Sequence, residues 1–334
     1  MAERSEQPPA RERIAVEEGF TIPEVAAAAR ALAERSGSTM QISAGRRAMF
    51  QDLMDLGERR LRAMDEDGIS MQVLVIGSPG VQAFDAAQGT ALATLANDRL
   101  AAACKAHPTR FAGLAAMAPQ SPAGAARELE RAVRILGLKG GIINSHTHGE
   151  YLDDRKFWPI FEAAQGLGVP IYIHPREPSP GMAGPLDMPG YRVAWGYGIE
   201  TGTHIMRLIA GGVFDQFPRL KIVIGHMGES IPFTLERIDN RFLWETEMGN
   251  LPRRIKRLPS EYFRDNIIVT TSGMNYRLPL MMTVEMLGED NVLFAGDWPF
   301  EKVRDSVDAM DAMPLSETQK AKIYHLNAKR VFAL

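Results

Sequence analysis

Two glutamates, three histidines and an aspartate stand out in this chain, because each lies at or just past the end of a short apolar run. Glu17 and Glu18 follow Arg13–Val16, His146 comes soon after Gly140–Ile143, His174 follows Val169–Ile173, His226 closes Leu220–Ile224, and Asp297 lies beyond Val292–Ala295. Glu17, His174 and Asp297 together offer two carboxylate groups and one imidazole nitrogen. That set suits a divalent cation of moderate hardness and leaves positions open for water or substrate. Mn²⁺ and Zn²⁺ both fit, and oxygen and nitrogen donors without sulfur lean toward Mn²⁺. Taken singly, each residue has a plainer reading: an aspartate before a helix is usually a cap, and a lone histidine is usually a hydrogen-bonded structural group. The joint placement carries the metal reading. The doubled Glu17-Glu18 favours it too, since burying two carboxylates without a cation is costly.

His226 opens the stretch His226-Met227-Gly228-Glu229. If a helix starts there, the spacing places both ionisable side chains on one face. The carboxylate then fixes the imidazole tautomer and raises its basicity. Glu229 placed only to favour a helix N-terminus is the equal alternative. Arg237, further along, is the residue type that grips a carboxylate with two parallel hydrogen bonds. Its competing reading, a surface ion pair with Glu236 or Asp239, is the heavier one from sequence.

These residues can act together only if the elements before them converge. Eight apolar runs recur along the chain: Arg13–Val16, Met71–Ile76, Phe111–Met117, Gly140–Ile143, Val169–Ile173, Leu220–Ile224, Ile267–Thr271 and Val292–Ala295. Unbroken apolar runs between turn signals fit parallel strands buried on both faces. Helical patterns are expected between them, including Ile22–Arg35, Arg46–Met64, Asp85–Ala106 and Arg155–Leu167. The alternation predicts an α/β chain forming a single (β/α)8 TIM-type barrel over 13–334, after a polar tail at 1–12. A doubly wound open sheet is the competing fold, but no Gly-x-Gly-x-x-Gly follows the first strand. Two insertions interrupt the pattern. Arg176–Tyr197 is rich in Pro, Gly and Met and sized for a lid or an interface, and Asn250–Arg264 is basic.

Composition narrows the class. The chain has 334 residues, with 38 Lys and Arg against 41 Asp and Glu, a net charge of −3. That balance excludes a chain-wide nucleic-acid surface. The single cysteine, Cys104, forbids an intrachain disulfide and a cysteine-based zinc site. No apolar run nears the roughly 20 residues of a membrane helix, and the charged N-terminus does not read as a secretory signal. A cytoplasmic enzyme acting on a small molecule is expected, with neither nucleic-acid nor membrane partners. Barrels commonly pair, so a homo-oligomer, dimer or tetramer, is expected as well.

The segments RIAVEEGF (13–20), MDLGERR (54–60), INSHTHGEYLDD (143–154), YIHP (172–175), ETGTHIMRLI (200–209), GVFDQFPRLKIVIGHMGE (212–229) and FAGDWPFE (294–301) carry a resemblance. The chain resembles the amidohydrolase superfamily, in its branch of metal-dependent aromatic-acid decarboxylases, over nearly its whole length after the tail. The resemblance implies Glu17, His174 and Asp297 as ligands of one Mn²⁺ (or Zn²⁺), with no organic cofactor. It implies His226 as an acid/base or electrostatic group supported by Glu229, Arg237 as a carboxylate grip, and Tyr197 as an aromatic group packed on a substrate ring. A further active-site arginine is implied near Arg46 or Arg47. The implied partner is a small aromatic carboxylate. The implied reaction is non-oxidative decarboxylation of an ortho-hydroxylated aromatic acid such as 5-carboxyvanillate, in lignin-derived aromatic catabolism, with Asp297 protonating the ring carbon before CO₂ leaves. Hydrolytic members usually begin with His-x-His at strand one and often carry a modified Lys at strand four. Glu17-Glu18-Gly19 and Asn144 stand in those places here, which argues against a binuclear hydrolase. A hydrolase or hydratase using a metal-activated water is the alternative, and a non-catalytic barrel is a third.

Overall fold

The computed structural model describes residues 11–35, 44–186, 188–251 and 255–334. Residues 1–10 of the expected tail and the Arg46 side chain lie outside the described residues. The first parallel sheet orders β1 (Ile14–Phe20), β2 (Met71–Ile76) and β3 (Phe111–Gly113). The second orders β4 (Ala115–Ala116), β5 (Gly141–Asn144), β6 (Ile171–His174), β7 (Ile222–Ile224), β8 (Ile267–Thr270) and β9 (Val292–Leu293), each beside its sequence neighbour. β3 and β4 are one run interrupted at Leu114. The Leu114 N–H still donates to Leu74 at 2.9 Å, whereas that of Ala115 donates to Gly140 at 2.8 Å. At the opposite seam Val16 pairs in parallel with Ala295, and its N–H donates to the Phe294 carbonyl at 3.0 Å.

The sequence explains this α/β layout. In β1 all seven residues are buried, and Ile171, Tyr172 and Ile173 of β6 are fully so. A strand with no exposed side must be covered on both faces, which crossover helices provide in parallel sheets. Helices such as Pro23–Arg35, Ala86–Ala106, Pro122–Arg134, Trp158–Leu167 and Val303–Asp311 fill the connections. Local signals set their ends: Asp85 caps Ala86–Ala106 by accepting the Gln88 N–H at 2.8 Å, and Gly168 (φ 70°) closes Trp158–Leu167 in the left-handed region.

Two expectations need correction. β1 does not stop at Glu17 but runs on to Phe20 through a bulge. Glu17 has φ 75°, and the register slips so that Val16 pairs with Val73 and Glu18 with Leu74. The single expected helix Arg46–Met64 is two, Ala44–Met54 and Glu58–Asp67. The break comes from Asp55, whose side chain accepts the N–H groups of Gly57 at 2.9 Å and Arg60 at 3.3 Å and so starts a new helix. The insertion after β6 holds its own short helix, Pro180–Leu186, before Tyr197–Ala210 begins; in the second insertion residues 252–254 lie outside the described residues.

Candidate active site

Glu17 is fully buried at the bulge inside β1. Its Oε2 accepts hydrogen bonds from Thr270 Oγ1 at 2.8 Å and from Ser272 Oγ, both at the end of β8. Its Oε1 has no hydrogen-bond partner among the described residues and lies 4.0 Å from His174 Nε2. His174 Nδ1 sits 2.8 Å from the Pro175 carbonyl, so this nitrogen carries the proton and donates it, leaving Nε2 a lone pair. Burial also pushes the His174 pKa down, which keeps that lone pair available. Two ligands of one ion, each bonded at about 2.0–2.2 Å, can stand no more than about 4.2 Å apart. The 4.0 Å spacing therefore lets a single cation touch both atoms. Gly225 keeps the space open, because a Cβ there would lie 2.6 Å from Glu17 Oε1.

Asp297 follows β9 and sits in the left-handed region at φ 57°. Burial raises its carboxyl well above the usual range, the charge of Glu17 raises it further, and His226 pulls it back. Among the described residues, no three His, Cys, Asp or Glu side chains form a ready-made cage. Glu17 and His174 are the part of the expected triad within ion-sharing distance, and Asp297 adds a carboxyl electrostatically tied to Glu17. An orphaned buried oxygen, a bare imidazole nitrogen and a carboxyl reluctant to ionise are what a divalent cation would satisfy. The donor set fits such an ion.

His226 and Glu229 meet, though not on a helix face. His226, Met227, Gly228, Glu229 and Ser230 all have positive φ, from 52° to 83°, so the expected helix start is a left-handed turn. The regular helix begins only at Ile231, with Pro232 in its first turn. The turn still places His226 Nδ1 2.8 Å from Glu229 Oε1. Burial alone would lower the imidazole pKa. The Glu229 carboxylate outweighs it, helped by Glu17 and Asp297, and lifts His226 to about 10. Glu229 thus favours the imidazolium form of His226, in which Nε2–H is a donor.

The amidohydrolase family matches residues 22–334. The chain belongs to it. Gamma-resorcylate decarboxylase of Polaromonas is 39% identical over 291 residues, 84% of this chain and 89% of that protein. The structure of 5-carboxyvanillate decarboxylase from Sphingomonas paucimobilis has a TM-score of 0.91 at 42% identity, covering 97% of this chain and 99% of the other. The enzyme of that name from Novosphingobium aromaticivorans, complexed with manganese and 4-hydroxy-3-methoxy-5-nitrobenzoic acid, has a TM-score of 0.93 at 38% identity, covering 97% and 96%.

Other residues of this amidohydrolase divide between mouth and frame. Tyr197 opens Tyr197–Ala210, half-buried, and its carbonyl accepts the Thr201 hydroxyl at 3.0 Å. Arg237 is exposed on Ile231–Glu247, whose buried face carries Ile231 and Leu235; among the described residues it makes no hydrogen bond or ion pair with Glu17, His174, His226 or Asp297. Arg47 is exposed on Ala44–Met54. His146 is a fastener, its Nδ1 accepting the Gly149 N–H and its Nε2 bonding the Glu177 carbonyl, both at 3.1 Å. His204 does similar work: Nε2 accepts the Leu152 N–H at 3.1 Å, and Nδ1 bonds Ser145 Oγ at 3.2 Å. Burial drops its pKa to about 3, so it stays neutral. Sequence reasoning missed Thr270 and Ser272 as supports of Glu17, although two hydroxyls ending an apolar run were a usable signal.

Proposed function

We propose that this chain is a metal-dependent carboxy-lyase that removes CO₂ without oxidation from an ortho-hydroxylated aromatic acid such as 5-carboxyvanillate. The observation that carries this reading is the buried, unpartnered Oε1 of Glu17 set 4.0 Å from the lone-pair nitrogen of His174. A carboxylate oxygen with no donor is costly in such a place, and a cation opposite it offsets that cost. Glu17, His174 and Asp297 would hold one divalent ion, Mn²⁺ ahead of Zn²⁺, with no organic cofactor. Support comes from the decarboxylases that this chain is similar to, one of them complexed with manganese. When bound, the ion supplies charge neutralisation and orientation for the substrate's phenolate and carboxylate oxygens.

The chain's own groups do the rest. Direct loss of CO₂ from an aromatic carbon would leave an aryl anion, so protonation comes first. The Asp297 carboxyl, whose pKa burial and Glu17 raise well above the usual range, gives its proton, when it carries one, to the ring carbon that bears the carboxylate. A C–H bond forms and the ring loses aromaticity. The bond to the carboxylate then breaks, its electron pair restores the ring, and CO₂ departs. Asp297 regains a proton from solvent. His226, held as a cation by Glu229, stabilises negative charge on the ring substituents. Arg237 as the carboxylate grip and Tyr197 as a wall against the ring belong to the same proposal.

The wider setting follows from this reading. A closed (β/α)8 barrel over 13–334 is supported by the Val16–Ala295 bridge and by β3 running on into β4. No helix among the described residues is long and apolar enough to cross a membrane; cytoplasmic work on lignin-derived aromatics belongs to the same proposal. A dimer or tetramer is supported by exposed Tyr191, Val193 and Trp195 in the insertion and Phe233 and Trp244 on Ile231–Glu247. The test is anaerobic incubation of the Mn²⁺-loaded protein with 5-carboxyvanillate and gamma-resorcylate. CO₂ and the matching phenol are expected. A product heavier than the acid by one water would point instead to hydratase or hydrolase chemistry.

A further inference from the structure

We propose that Glu18 is a positioning residue that fixes Asp297 by gripping the peptide groups on either side of it, with Arg60 and Gln72 as its backing. This rests on the reading of Asp297 as metal ligand and proton donor. Glu18 is fully buried, and its two oxygens divide the work: Oε1 accepts the Gly296 N–H at 2.8 Å and Oε2 accepts the Trp298 N–H at 3.0 Å. The residue between them is Asp297, whose left-handed φ of 57° is uncommon for a residue other than glycine. Gly296 permits the approach, since a Cβ there would lie 3.0 Å from Glu18 Oε1 and 2.7 Å from Val303.

The grip is itself held. Gln72 Nε2 donates to Glu18 Oε2 at 3.3 Å, while Gln72 Oε1 accepts from Arg60 Nη1 at 3.1 Å. Arg60 is a fully buried arginine; its Nη2 donates to the Gly19 carbonyl at 2.7 Å and its Nε to the Asp55 carbonyl at 2.8 Å. Its guanidinium lies over the Trp298 ring, 4.2 Å from the centroid. Trp298 is therefore held three ways: at its N–H by Glu18, at its carbonyl by the Gly19 N–H (2.7 Å), and on its ring by Arg60. A plain core ion pair would not need acceptors on both sides of one aspartate. The arrangement instead belongs with the outer partners that orient metal-binding groups.

The test is Glu18→Gln, whose single amide oxygen leaves one of the two N–H groups without an acceptor. Three measurements are made: the fold by circular dichroism, amide exchange of the 294–301 peptide in the metal-free protein, and Mn²⁺ affinity by electron paramagnetic resonance. The folded variant should exchange faster in that peptide and bind Mn²⁺ about 10- to 100-fold more weakly, the loss typical of an outer-shell partner. Its kcat at saturating Mn²⁺ should fall while KM holds. If Glu18→Gln does not fold, Arg60→Lys, which loses the stack on Trp298, should move the same readouts the same way. Wild-type exchange and wild-type Mn²⁺ affinity in a folded variant would overturn the proposal. A wild-type protein that binds no Mn²⁺ refutes the metal reading instead, and the exchange rates then judge the grip alone.

Discussion

His226 Nδ1 lies 2.8 Å from Glu229 Oε1, and the bond closes a turn in which five successive residues have left-handed backbone. The strained turn and the ion pair support each other: the turn brings the carboxylate under the ring, and the bond holds the turn. Gly198 makes room on the far side, where a Cβ would lie 2.8 Å from Glu229 Oε2.

Glu229→Gln should therefore move a titration. In the wild type His226 is raised from 6.5 to about 10 against the effect of burial, mainly by Glu229. A raised pKa contributes stability that is complete below 6.5 and disappears as pH climbs through about 10. Without the carboxylate charge, burial prevails and the imidazole loses its proton near or below neutrality. The alkaline limb of the kcat profile should shift down by pH units, and the His226 ring signal should follow in NMR. An unmoved limb would mean that another group carries it.

Glu17→Gln should abolish stoichiometric Mn²⁺ binding, read by elemental analysis. The metal-free variant should be as stable as the metal-free wild type, or more so by about 1–3 kcal/mol, since an uncompensated buried charge has gone. Urea unfolding of both metal-free proteins decides this. A variant that keeps a full complement of Mn²⁺ would put the ion elsewhere.

Chelation should stop turnover and lower the melting temperature, and both should return with Mn²⁺. At about 100 times Kd the bound ion stabilises the fold by about 2.7 kcal/mol. Calorimetry across a Mn²⁺ series should show the midpoint rising with ion concentration, and a flat series would contradict the site.

Asp297→Asn keeps the size of the side chain but removes the transferable proton. Turnover should drop by about two to four orders of magnitude, the range for a positioned general acid, with substrate still bound. Single-turnover kinetics with 5-carboxyvanillate would measure it, and full activity would remove Asp297 as donor.

His204→Leu tests the frame rather than the chemistry. It leaves the Leu152 N–H, now accepted at 3.1 Å, without a partner in a buried place. Each such orphan costs about 1–3 kcal/mol. Chemical denaturation should register that loss, while Mn²⁺ affinity in the folded protein stays near wild type.

Much of the architecture could be read from the chain because the physics was local. Met71–Ile76 is apolar but for Gln72, and β2 has those bounds; Gly68 ends the helix before it at φ 71°. Most candidate site groups stand at strand ends for the same reason, because an apolar run buried on both faces usually turns polar at its end; Glu17 and Glu18, inside β1, are the exception. What escaped the sequence was decided at a distance. Nothing near Arg60 says that it will be buried under Trp298, and the two rings of contact around Glu18 come from the opposite end of the chain. The helix expected through Leu56-Gly57 failed because the Asp55 side chain competes for backbone N–H groups, which periodicity does not see.

The bulge at Glu17 changes how this strand must be searched for. In a flat strand only alternate positions share a side, so a ligand pair would be written with one residue between its members. Here neighbouring codons supply two buried acids with separate destinations, one toward β8 and one toward the loop beyond β9. A pattern built on alternate spacing passes over such a strand, and inserting or deleting one residue before Glu17 would move both acids out of their places at once.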